Sequence, residues 1–166
     1  MLAPDYYFDS IYDIPYQKLY NENFRGLVFD IDNTLTAYDE ALPPAKSVAL
    51  IKRLQHMGFQ VFLLTNNTNE RLRGFNVSLQ LPGIGFALKP LARGLRKAMK
   101  SMGTTPSSTV MIGDQLLSDV WAGKNARVTT ILVKPITEKD FTFVRVKRVL
   151  ERRLLRRYLE GHKKSE

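Results

Sequence analysis

Short strands apolar on both faces, amphipathic helices between them, and a polar or charged residue directly after each strand predict an α/β protein. The architecture expected is three-layered and Rossmann-like, a parallel sheet with helices on both faces. Parallel strands need crossover connections, and a sheet covered on both sides shows no polar alternation. The 166 residues, 44% of them hydrophobic, suit one domain with a sizeable core.

The elements follow in order. Residues 1–23 carry Tyr6, Tyr7, Tyr12, Tyr16 and Tyr20 around a turn at Asp13-Ile14-Pro15, and read as an arm packed on the core. A first strand spans 26–29. A helix follows over 44–57, with Leu50, Leu54 and Met57 on one side, Pro44 in its first turn and Gly58 at its stop. A second strand covers 60–64 and a weaker third 86–88. Leu91, Leu95, Ala98 and Met102 mark a helix closed by Gly103. A fourth strand at 109–112, a helix over 115–124 and a strand at 128–133 complete the body. Trp121 reads as a core or helix-packing residue, and His56 as a residue favoured at a helix C-terminus.

Composition excludes several classes. There is no cysteine, hence no thiol nucleophile, cysteine zinc site or disulfide scaffold. No apolar run approaches the roughly 18 residues of a membrane span, and Asp5, Asp9 and Asp13 are unlike a signal peptide. A cytoplasmic protein is the expectation. The net charge is +9, but residues 141–164 hold nine Lys and Arg against Glu151 and Glu160. The excess therefore sits mostly in the tail.

In open α/β sheets, ligands bind beyond the C-terminal strand ends. Those ends carry Asp30-Ile31-Asp32-Asn33-Thr34, then Thr65-Asn66, then Lys89, then Gly113-Asp114 with Asp119 five residues on. Clustered carboxylates repel unless a cation joins them, and a hard divalent ion with oxygen ligands, Mg²⁺ above all, removes that cost. A hydroxyl, an amide and a lysine beside it can hold phosphoryl oxygens. An aspartate is a competent nucleophile toward phosphorus. For Asp32 to reach the site of Asp30, the chain must leave strand geometry, and Asn33-Thr34 is compatible with a turn. Each residue alone has an ordinary structural reading as a cap, turn or solvated side chain; their order at successive strand ends does not.

Asp30-x-Asp32-x-Thr34-Leu35, Thr65, Lys89 and Gly113-Asp114-x-x-x-x-Asp119 together resemble the four motifs of the haloacid dehalogenase superfamily of phosphatases, over about residues 24–133. The Pro4-Asp5-Tyr6-Tyr7 arm and the Asp32-Asn33-Thr34-Leu35-Thr36 wording more narrowly resemble its YqeG-type branch, which is similar to phosphatidylglycerophosphate phosphatase. The resemblance implies a catalytic domain over 24–137. It makes Asp30 the nucleophile and a Mg²⁺ ligand. Asp32 becomes the acid that protonates the leaving oxygen and the base that activates water, its carbonyl also a metal ligand. Thr65, Asn66 and Lys89 would bind the phosphoryl group, Asp114 would ligate Mg²⁺, and Asp119 would support the metal site.

Members of the superfamily often enclose small substrates under an inserted cap. Only residues 37–43 separate Thr36 from the first long helix, and 23 residues lie between Thr65 and Lys89. Neither stretch can build a cap. A capless site is open and suits phosphate on something large, or a lipid headgroup at a membrane surface.

The last segment, 138–166, reads as a basic amphipathic helix and tail. Val146, Val149, Leu150, Leu154 and Tyr158 fall on one side, with Arg145, Arg148, Arg152 and Arg156 on the other. Such a helix can lie peripherally on an anionic membrane or pack its apolar side on the domain. RNA contact through the arginines is the weaker third reading. With it comes the rival to a lipid phosphatase: an RNA or ribonucleoprotein assembly factor with a minor phosphatase site, or a protein phosphatase.

Overall fold

Every strand of the sheet runs parallel to its neighbours. The structure, a computed structural model, describes residues 2–137 and 142–162, and in the last helix the side chains of 148–161. The strands are β1 (Tyr6–Phe8), β2 (Gly26–Phe29), β3 (Gln60–Leu64), β4 (Gly83–Ile84), β5 (Thr109–Gly113) and β6 (Thr129–Val133), in the spatial order β1-β6-β5-β2-β3-β4. The helices are α1 (Tyr16–Asn21), α2 (Ala45–Met57), α3 (Asn69–Asn76), α4 (Arg93–Met102), α5 (Trp121–Ala126) and α6 (Thr142–His162).

The two-sided burial of the central strands produces the three layers. On one face Leu27, Phe29, Val61, Leu63, Val110 and Ile112 pack with Leu50, Ile51 and Leu54 of α2 and with Leu72 and Phe75 of α3. On the other, Val28, Phe62, Leu64 and Met111 meet Leu95, Ala98 and Met99 of α4 and Ala122 and Ala126 of α5. Helices α2 and α4 stop where left-handed glycines, Gly58 and Gly103, close their last turns.

Four elements differ from the sequence expectation. The third strand lies at Gly83–Ile84, not 86–88; Phe86 and Leu88 stand at φ of 46° and 56° and are 57% and 64% exposed. Only Ala87 of this run turns into the core, its N–H donating to the Thr65 carbonyl at 3.0 Å, and the left-handed residues on either side keep the run from forming a regular strand. The arm is more than a cover, since Tyr6–Phe8 pairs with Ile131–Val133 and extends the sheet. The helix expected over 115–124 begins as a wide π turn, Leu116–Val120, before α5, and Trp121 at their junction is 44% exposed rather than packed inside.

The last helix is oriented differently from its helical wheel. Arg148 and Glu151 face the domain with Leu154 and Leu155, while Val149 and Leu150 are more than half exposed. Leu154 and Leu155 pack over Leu116, Val120 and Leu132, so α6 covers the wide turn that follows β5. The ends of the basic segment, 138–141 and 163–166, lie outside the described residues.

Candidate active site

The sheet's C-terminal edge gathers the sequence-predicted residues. Asp30 continues β2 by one rung, its N–H donating to the Ile112 carbonyl at 2.9 Å. The chain then turns. The N–H groups of Thr34, Leu35 and Thr36 converge on the Ile31 carbonyl, and Asn33 sits at φ 62°. A short amide side chain tolerates that left-handed conformation. The turn carries Asp32 out of the strand to the edge of an open cleft of about 320 Å³ shared with Asp30, Thr65, Lys89 and Asp119.

Lys89 is the hub. Its ammonium donates to Asp30 Oδ1 at 2.7 Å, Asp119 Oδ1 at 2.6 Å and the Leu64 carbonyl at 2.8 Å. Its side chain is only 2% exposed. An unpaired ammonium there would be costly, and three acceptors satisfy its three protons. Asn66, expected among the phosphate-binding groups, lines the cleft and clamps the Lys89 backbone. Its amide donates to the Lys89 carbonyl at 3.1 Å and accepts from the Lys89 N–H at 2.7 Å. The Thr65 hydroxyl, also at the cleft, accepts from the Asn67 N–H at 3.0 Å.

Asp30, Asp114 and Asp119 are buried and offer carboxylate oxygens within 4.8 Å of one another. The Thr34 hydroxyl reaches both Asp30 Oδ2 and Asp114 Oδ1, at the long distances of 3.4 and 3.3 Å, so one hydroxyl joins the two carboxylates. Burial pushes the Asp30 carboxyl up to about 7; Lys89 opposes that rise and Asp119 adds to it. Burial, with Asp30 and Asp119, raises the Asp114 carboxyl well above its ordinary value against the pull of Arg148 and Lys89. Burial works against the Lys89 ammonium, yet Asp119 and Asp30 outweigh it and raise its pKa. Carboxylates held this close without full compensation form an all-oxygen donor set of the kind that takes a hard cation. Gly113 makes room for it: a Cβ there would collide with the Asp119 carboxylate.

Two arginines complete the site, and no sequence motif announced either. Arg71 of α3 donates from Nε and a terminal nitrogen to Asp32 Oδ1 at 3.1 and 3.0 Å, while Asn67 donates to Asp32 Oδ2 at 3.1 Å. Arg148 of α6 donates to Asp114 Oδ2 at 3.2 Å. In the same helix, Glu151 accepts the Leu117 N–H at 2.9 Å. A six-residue offset from Thr65 was the available hint for Arg71. Arg148 had none, because the helical wheel put it among the solvated cations.

A parallel sheet with a nucleophile-competent aspartate, a buried lysine and a carboxylate cluster at its C-terminal edge defines a phosphoryl-group hydrolase. The chain belongs to the haloacid dehalogenase-like hydrolase family, whose model matches residues 36–127, and it is a phosphatase of that family. The matched interval starts after Asp30 and Asp32, so their placement rests on the geometry above. The chain is 33% identical over 152 residues to the probable phosphatase YqeG of Bacillus subtilis, covering 92% of this chain and 88% of that one. It is 27% identical to the chloroplastic/mitochondrial phosphatidylglycerophosphate phosphatase 1 of Arabidopsis thaliana, covering 88% of this chain and 45% of that protein. Among solved structures, the cobalt-bound deoxy-D-mannose-octulosonate 8-phosphate phosphatase of Haemophilus influenzae superposes with a TM-score of 0.55 at 24% identity, covering 72% and 82% of the two chains. That likeness concerns the fold.

Proposed function

We propose that this phosphatase hydrolyses a phosphomonoester borne by a lipid headgroup or another large molecule, with phosphatidylglycerophosphate the leading substrate. The observation that carries the reading is Asp30 at the floor of an uncapped cleft, one oxygen on Lys89 and the other joined to Asp114 through the Thr34 hydroxyl. Residues 37–43 form only a short connection, and 65–89 hold α3 and β4, so nothing in either segment closes over the cleft. The Arabidopsis relative is a phosphatidylglycerophosphate phosphatase, which supports this substrate class.

The reaction needs two displacements. An Asp30 oxygen attacks phosphorus, the bond to the leaving oxygen breaks, and Asp32 gives that oxygen its proton. The resulting aspartyl-phosphate is then attacked by a water whose proton Asp32 takes, which releases phosphate and restores Asp30. Thr65 holds a phosphoryl oxygen, Lys89 turns one of its three protons from Asp30 to the phosphoryl group as that carboxylate attacks, and Asn66 fixes the Lys89 backbone. Asp30, Asp114 and the Asp32 carbonyl would hold Mg²⁺ with Asp119 in support, and the ion would supply charge neutralisation at the phosphoryl group. Arg71 and Asn67 keep Asp32 turned toward the cleft edge.

A phosphatase screen tests the substrate. It compares phosphatidylglycerophosphate, phosphopeptides, a phosphorylated RNA end and small sugar phosphates. Preference for the lipid is expected; preference for sugar phosphates would overturn the open-site argument. Activity surviving Asp30→Asn, or indifferent to chelation of divalent ions, would sink the mechanism.

A further inference from the structure

The active-site edge of the sheet carries an unusual set of exposed apolar residues. Leu42, Phe86, Leu88, Leu91 and Ile136 are 64%, 57%, 64%, 57% and 52% exposed. They come from three separate connections, each tied to an active-site residue by a hydrogen bond. The Leu42 carbonyl accepts from the Thr36 hydroxyl, and its neighbour Ala41 accepts from Arg71. The Phe86 N–H donates to the Asn67 carbonyl, and the Ile136 N–H to the Asn33 carbonyl. Leu88 adjoins Lys89, and the Leu91 N–H donates back to the Leu88 carbonyl.

Single exposed leucines are ordinary; five on connections that leave the same edge of the sheet, hydrogen-bonded to the segments that carry the cleft residues, are not. Phe86 and Leu88 are held outward by left-handed backbone, which bulky residues seldom adopt. Beside this rim stands α6, anchored to the same edge through Arg148 and Glu151. Its outer face exposes Arg152, Arg153, Arg156 and Arg157 together with Val149 and Leu150. Apolar tips flanked by arginines fit one kind of partner: the interface of an anionic bilayer, where tips enter the acyl boundary and guanidinium groups meet lipid phosphates.

We infer that this edge is the membrane-docking surface, with Leu42, Phe86, Leu88, Leu91 and Ile136 inserted around the cleft so that the active site opens directly onto the headgroup layer. The inference extends the lipid reading above. It makes the rim, and not the basic helix alone, the part that enters the membrane.

The test uses the full chain with its single tryptophan, Trp121, replaced by Phe, and vesicles of phosphatidylcholine and phosphatidylglycerol with brominated acyl chains. Leu42→Trp, Phe86→Trp and Ile136→Trp are each made separately, and Val77→Trp is the control. Val77 is 70% exposed at the far end of α3, toward the opposite edge of the sheet. Bromine quenching in the three rim variants and its absence in Val77→Trp is the expected result. In the unaltered chain, serine at both Phe86 and Leu88 lowers vesicle partitioning about tenfold or more. No vesicle binding, binding with unquenched rim tryptophans, or equal quenching in Val77→Trp each overturns the proposal. The vesicles carry no phosphomonoester, so these outcomes are independent of the substrate screen.

Discussion

Arg148 and Asp114, 34 positions apart, form an ion pair at 3.2 Å that ties the C-terminal helix to the carboxylate cluster. The pair engages Asp114 Oδ2 and leaves Oδ1 to the Thr34 hydroxyl. Arg148 thus engages the oxygen of a candidate metal ligand that the Thr34 hydroxyl does not reach. Outer partners of this kind orient ligands, and losing one costs roughly 10–100-fold in metal affinity. Arg148→Gln should weaken Mg²⁺ binding by that order in calorimetry without substrate, Arg148→Lys should recover part of it, and Arg152→Gln should leave it unchanged.

The raised Asp30 carboxyl makes stability pH-dependent. In the metal-free folded state it holds its proton up to about 7, against 3.8 as its ordinary value. Between those values the native state binds more protons than the unfolded one, so stability falls as pH rises through that window. A thermal melt series from pH 4.5 to 8 in chelator should show the decline. Saturating Mg²⁺ should flatten it, and metal affinity should rise with pH as protons are released.

Lys89→Met removes the ammonium from between Asp30 and Asp119. The buried carboxylates would then face each other uncompensated, a change that costs about 3–5 kcal/mol where one partner of a buried pair is lost. Denaturant unfolding of the metal-free variant should show a loss of that order, and phosphatase activity should fall by at least about 10²-fold.

Arg71→Ala frees Asp32 from its guanidinium partner. If Asp32 delivers the leaving-group proton, alkyl phosphates, whose leaving oxygens need one, should lose roughly 10²-fold or more in kcat. Aryl phosphates, which leave readily as anions, should lose far less. Equal losses on both would point to a general disruption and not to the proton.

Gly113→Ala should be damaging out of proportion to one methyl group, since the added Cβ meets the Asp119 carboxylate. Overpacking of this kind costs about 1–3 kcal/mol, and here it also displaces a member of the carboxylate cluster. Thermal melts and metal titration of the variant measure the two effects separately.

The central sheet and the strand-end residues were legible in the sequence because both depend on local pattern. Strand 26–29 and the stretch 61–64 are apolar throughout, and Asp30, Thr65 and Asp114 each directly follow a strand, whereas Lys89 stands five residues beyond Ile84 and reaches the site from the connection after β4. The strand at Gly83–Ile84 escaped because two residues make no period, and the neighbouring Phe86-Ala87-Leu88 run drew the assignment to itself. Tyr6–Phe8 became a strand through pairing with β6, which no local signal announces. The orientation of α6 depended on a buried ion pair: Arg148 and Glu151 face inward to meet Asp114 and the Leu117 N–H, and that turns Val149 and Leu150 outward. Hydrophobic periodicity cannot foresee a helix whose buried face includes a charge.

The pairing of β1 with β6 also sets an order of events during synthesis. Tyr6–Phe8 leaves the ribosome before the other five strands, but its partner Ile131–Val133 follows about 125 residues later, and the Asp5 carboxylate waits equally long for the Thr130 N–H and hydroxyl. Elongation at roughly 5–20 residues per second leaves that first strand without its edge for several seconds or more. The central strands β2, β3 and β5 can assemble meanwhile, so the amino-terminal strand is the last of the sheet to be seated.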